Sequence, residues 1–75
     1  MDLIAYTKHM DYAERIKELR QSKNLSQMQL SKLTGLSQSA IAKWELRKTE
    51  PTASAIITLS KFFGETVGYI LGVED

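Results

Sequence analysis

Residues 26–45 read SQMQLSKLTGLSQSAIAKWE, and this stretch decides the fold. Ser26 opens an S-x-x-Q pattern with Gln29, the capping box that starts a helix. Leu30 and Leu33 give that short helix one apolar side. Gly35 falls where a turn needs a left-handed backbone or close packing. Leu36 follows, and Ser37 is placed to cap a second helix. In it Ile41 and Trp44 sit three apart and face one way, leaving Gln38, Ser39, Ala42 and Lys43 on other faces. Two short helices joined by a glycine turn make a helix-turn-helix, whose second helix would lie in the DNA major groove.

The spacing narrows the reading. Counted from Gln27, apolar residues occupy places 4, 10, 15 and 18 (Leu30, Leu36, Ile41, Trp44), Ser31 the fifth and Gly35 the ninth. In these residues the chain resembles the helix-turn-helix family of lambdoid phage repressors and Cro proteins, the Xre type. The resemblance extends from about Tyr12 to Gly72. It takes in RIKELR in the first helix, LSQMQLSKLTGLS, SAIAKWE, Pro51 and the closing FFGETVGYILG. The family usually has Ala where Ser31 stands, and Gly where Asn24 and Arg47 stand. Asn tolerates the left-handed conformation that such positions require.

Outward from the motif, Asp11 caps a first helix running to about Ser22, with Ile16 and Leu19 inward. Asn24 ends that helix and Leu25 tucks in. Beyond Glu45 a polar loop, LRKTEP, closes at Pro51. Thr52 caps a fourth helix through Phe63, with Ile56, Leu59 and Phe63 as its stripe, and Gly64 stops it. Thr66 caps a fifth, Val67 to Leu71, ended by Gly72. No alternating run or hairpin dipeptide signals a strand. The expected fold is all-α, a compact bundle of five short helices like that of lambda repressor. Residues 1–10 form an N-terminal arm and residues 11–75 the helix-turn-helix domain.

A chain of 75 residues is one domain, which buries only roughly 60–65% of its unfolded surface. With no cysteine there is no disulfide framework and no thiolate metal site. No apolar run approaches the ~18–20 residues that span a membrane. The start, MDLIAYTKHM, lacks the long apolar core of a secretory signal. The expected location is the cytoplasm.

The net charge is only +1, but its distribution is uneven. From Arg20 to Lys48 six cations (Arg20, Lys23, Lys32, Lys43, Arg47, Lys48) face one acid, Glu45, a net +5. The remainder carries −4. A basic segment that coincides with the motif is the footprint expected at DNA phosphates.

The residues then take specific chemistry. Gln38 opens the recognition helix, and a Gln side chain pairs bidentately with adenine N6 and N7. The resemblance implies that role for Gln38, and for Gln27 a brace on it and a phosphate contact. Ser37 and Ser39 flank Gln38; Ser39 can bond either kind of base edge. The Ala42 methyl can meet a thymine methyl, and Lys43 can reach guanine or a phosphate. By the resemblance, Arg47, Lys48 and Thr49 lie where family loops follow the DNA backbone. The same resemblance pairs Glu45 with an Arg of the first helix, here Arg20, as a structural ion pair or a phosphate contact. Lys8 and His9 of the arm can touch DNA as arms do in some relatives, although a frayed tail is the plainer reading. Trp44 belongs to the core, since it shares the Ile41 face.

One recognition helix covers few base pairs, so a symmetric homodimer on a palindromic double-stranded operator is expected. Tyr69, Ile70, Leu71 and Val73 crowd the C-terminal end, where a helix of about five residues cannot bury them all, and with Phe62 they mark the dimer interface. The plainer alternative is that Ile70 and Leu71 close the chain's own core while Tyr69 and Val73 sit exposed. The competing reading is an antitoxin-like module whose main partner is a protein; only Val73, Glu74 and Asp75 follow the last helix to wrap one. An enzyme is not expected. The single His lies in the arm, and neither a Cys–His pair nor a Gly-rich phosphate loop is present. No cofactor, metal or small-molecule ligand is implied.

Overall fold

The computed structural model describes residues 10–74. The arm expected over residues 1–10 lies, but for Met10, outside them. Five helices follow in order: α1 Tyr12–Ser22, α2 Gln27–Thr34, α3 Gln38–Glu45, α4 Ala53–Phe63 and α5 Val67–Leu71. No strand occurs among the described residues.

Each helix begins where a short polar side chain satisfies a free backbone N–H. Asp11, Ser37, Thr52 and Thr66 each accept from the amide three residues on. Ser26 does the same and Gln29 reaches back to its amide, a complete capping box. Such a cap contributes about 1 kcal/mol. Gly35 ends α2 in the left-handed conformation, φ 77°. That conformation turns the chain within three residues and sets α3 across α2.

Each helix contributes one fully buried aliphatic side chain: Ile16, Leu30, Ile41, Leu59 and Ile70 in chain order. Trp44, Ala55 and Ile56 complete the core, with Leu19, Leu25, Leu36, Phe62 and Phe63 packed around it. Burying each such aliphatic side chain contributes about 1.5–3 kcal/mol.

Two expectations fail here. Leu33 does not share the inner side of α2 with Leu30; it is 60% exposed. Three residues turn a helix by about 300°, so Leu33 stands about 60° off the Leu30 direction, and Leu30 with Leu36 already fills the seam. Ile70, assigned to the dimer interface, is instead completely buried and closes the chain's own core. In so short a helix one apolar residue must face inward, and Ile70 takes that position while Leu71 turns outward. No helix of the described residues is long and apolar enough to cross a membrane.

Candidate nucleic-acid interface

The interface is built on α3. Ile41 and Trp44 anchor its back in the core, which leaves Ser37, Gln38, Ser39 and Lys43 exposed and Ala42 half-buried on its other side. The Ser37 hydroxyl is already occupied as the cap, accepting from the Ala40 amide at 3.2 Å.

The far end of α3 is held by a buried node. Arg20 donates from Nε to Glu45 Oε2 at 2.7 Å and from Nη2 to Glu45 Oε1 at 2.9 Å. Its Nη1 donates to the Leu25 carbonyl at 2.7 Å. Gln27 donates its amide to Glu45 Oε1 at 3.1 Å. One carboxylate thus gathers α1, α2 and α3. The carboxylate raises the Arg20 guanidinium's affinity for its proton, chiefly through these hydrogen bonds. Of the two roles weighed for Arg20 and Glu45, this geometry is that of a structural ion pair, since all three guanidinium nitrogens are occupied inside the chain. Gln27 braces the end of the recognition helix, at Glu45, and not its start at Gln38.

Beyond α3 the chain turns at Arg47, which adopts φ +60°. The Arg47 amide bonds the Trp44 carbonyl, and that of Lys48 the Lys43 carbonyl. The Arg47 side chain does not stand free among the loop cations. It donates from Nε to Asp11 Oδ2 at 2.6 Å and from Nη2 to Asp11 Oδ1 at 3.1 Å, and lies 3.4 Å from Glu14. The Arg47 donors hold the Asp11 carboxyl below its ordinary value, despite the opposing pull of desolvation. A second tie joins the same elements: the Tyr12 hydroxyl donates to the Thr49 carbonyl at 3.2 Å. Lys48 and Thr49 are exposed.

Of the six cations of the basic segment, two are therefore spent inside the chain. Lys23, Lys32, Lys43 and Lys48 remain exposed.

A profile of the helix-turn-helix family matches residues 16–70, the span from the α1 core residue Ile16 to the α5 core residue Ile70. This chain belongs to that helix-turn-helix family, of the Xre and phage-repressor type. The HTH-type transcriptional activator BcrR of Enterococcus faecalis is 38% identical over 66 residues, 88% of this chain and 32% of that one. Repressor protein C2 of Salmonella phage P22 is 36% identical over 58 residues, 77% of this chain and 27% of that one. The chain thus spans about a third or less of the length of these two relatives. Among solved structures, the P22 c2 repressor in complex with a synthetic operator superimposes with a TM-score of 0.78 at 32% identity. The match covers 87% of this chain and 98% of that one.

Besides the Arg47–Asp11 contact, sequence reasoning missed a second feature of this helix-turn-helix domain. Arg15 is buried, its guanidinium carbon 3.6 Å from the centroid of the Tyr69 ring. Among the described residues its Nε has no hydrogen-bond partner, and Glu18 Oε1 lies 3.8 Å from it. The signal was present: Tyr12, Arg15, Ile16 and Leu19 form one helical stripe, with a cation set among apolar residues. At the expected dimer face, Tyr69 is half-buried beneath Arg15, and Phe62 packs edge-on against Phe63, centroids 5.1 Å apart. Leu71 and Val73 are exposed. Beside them an apolar groove of about 380 Å³ is lined by Pro51, Ala53, Ile56, Ile57, Val67 and Leu71.

Proposed function

We propose that this chain is a sequence-specific DNA-binding transcription regulator, acting as a repressor by occupying its operator. The observation that carries the reading is α3: buried along its back, clamped at its end by the Arg20–Glu45–Gln27 node, and open along the edge of Gln38, Ser39 and Lys43. A helix held this rigidly meets base edges with little loss of freedom on binding. Gln38 reads an adenine, the Ala42 methyl meets a thymine, and Lys43, Lys48 and the Thr49 region meet the backbone. Similarity to a phage repressor, and to a repressor solved on its operator, supports double-stranded DNA as the partner. Helix-turn-helix membership supports binding, not catalysis, as the activity. A chain that regulates genes in this way works in the cytoplasm, where bacterial and phage DNA is.

The operator is palindromic and the chain binds it as a homodimer. Leu71 and Val73 supply the dimer face, together with the neighbouring groove residues Ile57 and Val67, while Phe62 and Tyr69 back it from within. An apolar groove also suits a protein partner, which is the second reading.

Binding selection on randomised duplexes tests both. Four free lysines per half-site give log K against log salt a slope of roughly −3 to −4 per chain. At saturation two chains occupy one palindromic duplex. Gln38→Ala costs about 1–3 kcal/mol at one base position and flattens that column of the preference. A salt-independent affinity, or no duplex bound at micromolar protein, would leave the protein-partner reading standing alone.

A further inference from the structure

The loop after α3 carries two cations with different surroundings. An eight-residue helix is about 12 Å long and the major groove about 12 Å wide. With the N-terminal end of α3 in the groove, the loop at its other end meets the groove wall, where the phosphates lie. Arg47 and Lys48 are both exposed there. The Arg47 fork, however, is closed on the Asp11 carboxylate through Nε and Nη2, with Glu14 as a second acid at 3.4 Å. This paired N–H geometry is the one an arginine uses on a phosphate. Asp11 and a phosphate thus compete for the same donors.

Three features favour Asp11. Its carboxylate is fixed before Arg47 arrives, because Oδ1 also accepts the Glu14 amide that starts α1. Tyr12, from the same turn, bonds the Thr49 carbonyl and pins the loop in place. Transfer of the guanidinium to a phosphate would also take the cation from the Asp11 carboxylate, beside an anionic backbone.

We propose that Asp11 and Glu14 are positioning residues that withhold Arg47 from DNA, so that the first turn of α1 acts as a built-in counter-anion. The chain then neutralises one phosphate fewer per half-site than its loop cations would allow. This rests on the DNA-binding reading. Both acids stand at the start of α1, Asp11 as its cap and Glu14 in its first turn, outside the recognition motif.

The test uses Asp11→Asn/Glu14→Gln, in the wild-type background and in an Arg47→Gly background. Asn caps a helix as well as Asp does, so α1 keeps its start. The probe is a random-sequence duplex titrated across a salt series. In the wild-type background the released guanidinium raises affinity at low salt by roughly three- to tenfold. It also steepens the log K against log salt slope by about 0.9. In the Arg47→Gly background the same substitutions leave the slope unchanged, because no cation is freed. Glu14→Gln alone, which leaves the cap untouched, gives a smaller steepening that likewise needs Arg47. An equal effect in both backgrounds, or an unchanged slope in both, overturns the proposal and leaves DNA binding intact. Failure of the wild-type chain to bind any duplex overturns the DNA-binding reading, and the withheld arginine with it.

Discussion

Two arginines in this chain each grip a carboxylate with Nε and Nη2, and their distances are nearly the same. Arg20 meets Glu45 at 2.7 and 2.9 Å, and Arg47 meets Asp11 at 2.6 and 3.1 Å. What separates them is water. The Arg20 and Glu45 side chains are 11% and 5% exposed, those of Arg47 and Asp11 50% and 43%. In the first pair each group has lost its hydration and depends on the other. In the second, solvent and salt screen the attraction, and the fold loses little stability without either partner. Equal geometry therefore yields a node the fold depends on in one place and, in the other, a screened contact that adds little to the fold's stability.

The contrast can be broken most directly at the node. Arg20→Ala leaves the Glu45 carboxylate buried with only the Gln27 amide to bond it. Removing one partner of a buried pair costs about 3–5 kcal/mol, a large share of the roughly 4–11 kcal/mol expected for 75 residues. Urea unfolding followed by circular dichroism measures this. A loss below about 1 kcal/mol would place the two pairs in the same class.

A smaller effect sharpens the comparison. Gln27→Ala removes a neutral donor from a charged acceptor that keeps its guanidinium, and costs about 1.5–3 kcal/mol. The same substitution loosens the end of α3 and lowers DNA affinity without altering base preference. An altered preference would mean that Gln27 reads bases itself.

The smallest effect belongs to the exposed pair and appears in its pH dependence. The folded-state Asp11 carboxyl lies below its ordinary 3.8, with the Arg47 hydrogen bonds as the main cause. An acid whose value falls on folding stabilises the fold above its unfolded value. That contribution is lost as pH falls through the lower, folded value. The melting temperature of the wild type therefore exceeds that of Asp11→Asn by a small constant amount near neutral pH. The gap closes below pH 3.8. A gap that widened on acidification would assign the Asp11 effect to something other than Arg47.

The local signals were legible because they act over three or four residues. Ser26, Ser37, Thr52 and Thr66 announced helix starts through the backbone amides they could reach, and Gly35, Gly64 and Gly72 the ends. The Arg20–Glu45 pair came from family resemblance, since nothing local links residues 25 apart. The Arg47–Asp11 contact spans 36 residues and departs from the family's usual glycine at that position, so neither route led to it. Leu33 and Ile70 went astray for a related reason. In helices of eight and five residues the apolar stripe is too short to fix which member faces inward, and packing against other helices decides. Arg15 was hidden by its charge, which suggests solvent, whereas its place in the stripe points inward.

Helix α5 has five residues and a single completely buried side chain, Ile70. In hydrogen-exchange terms it is the natural first unit to open, since little apolar area holds it and opening free energy scales with such contacts. When it lifts, it uncovers Arg15 by removing Tyr69, and it dismantles the Val67 and Leu71 wall of the groove in the same event. Among the described residues, the least protected amides and the proposed dimer face then coincide. A second copy docked there would protect α5 by mass action, so slowed exchange at Ile70 would report the proposed dimer assembly.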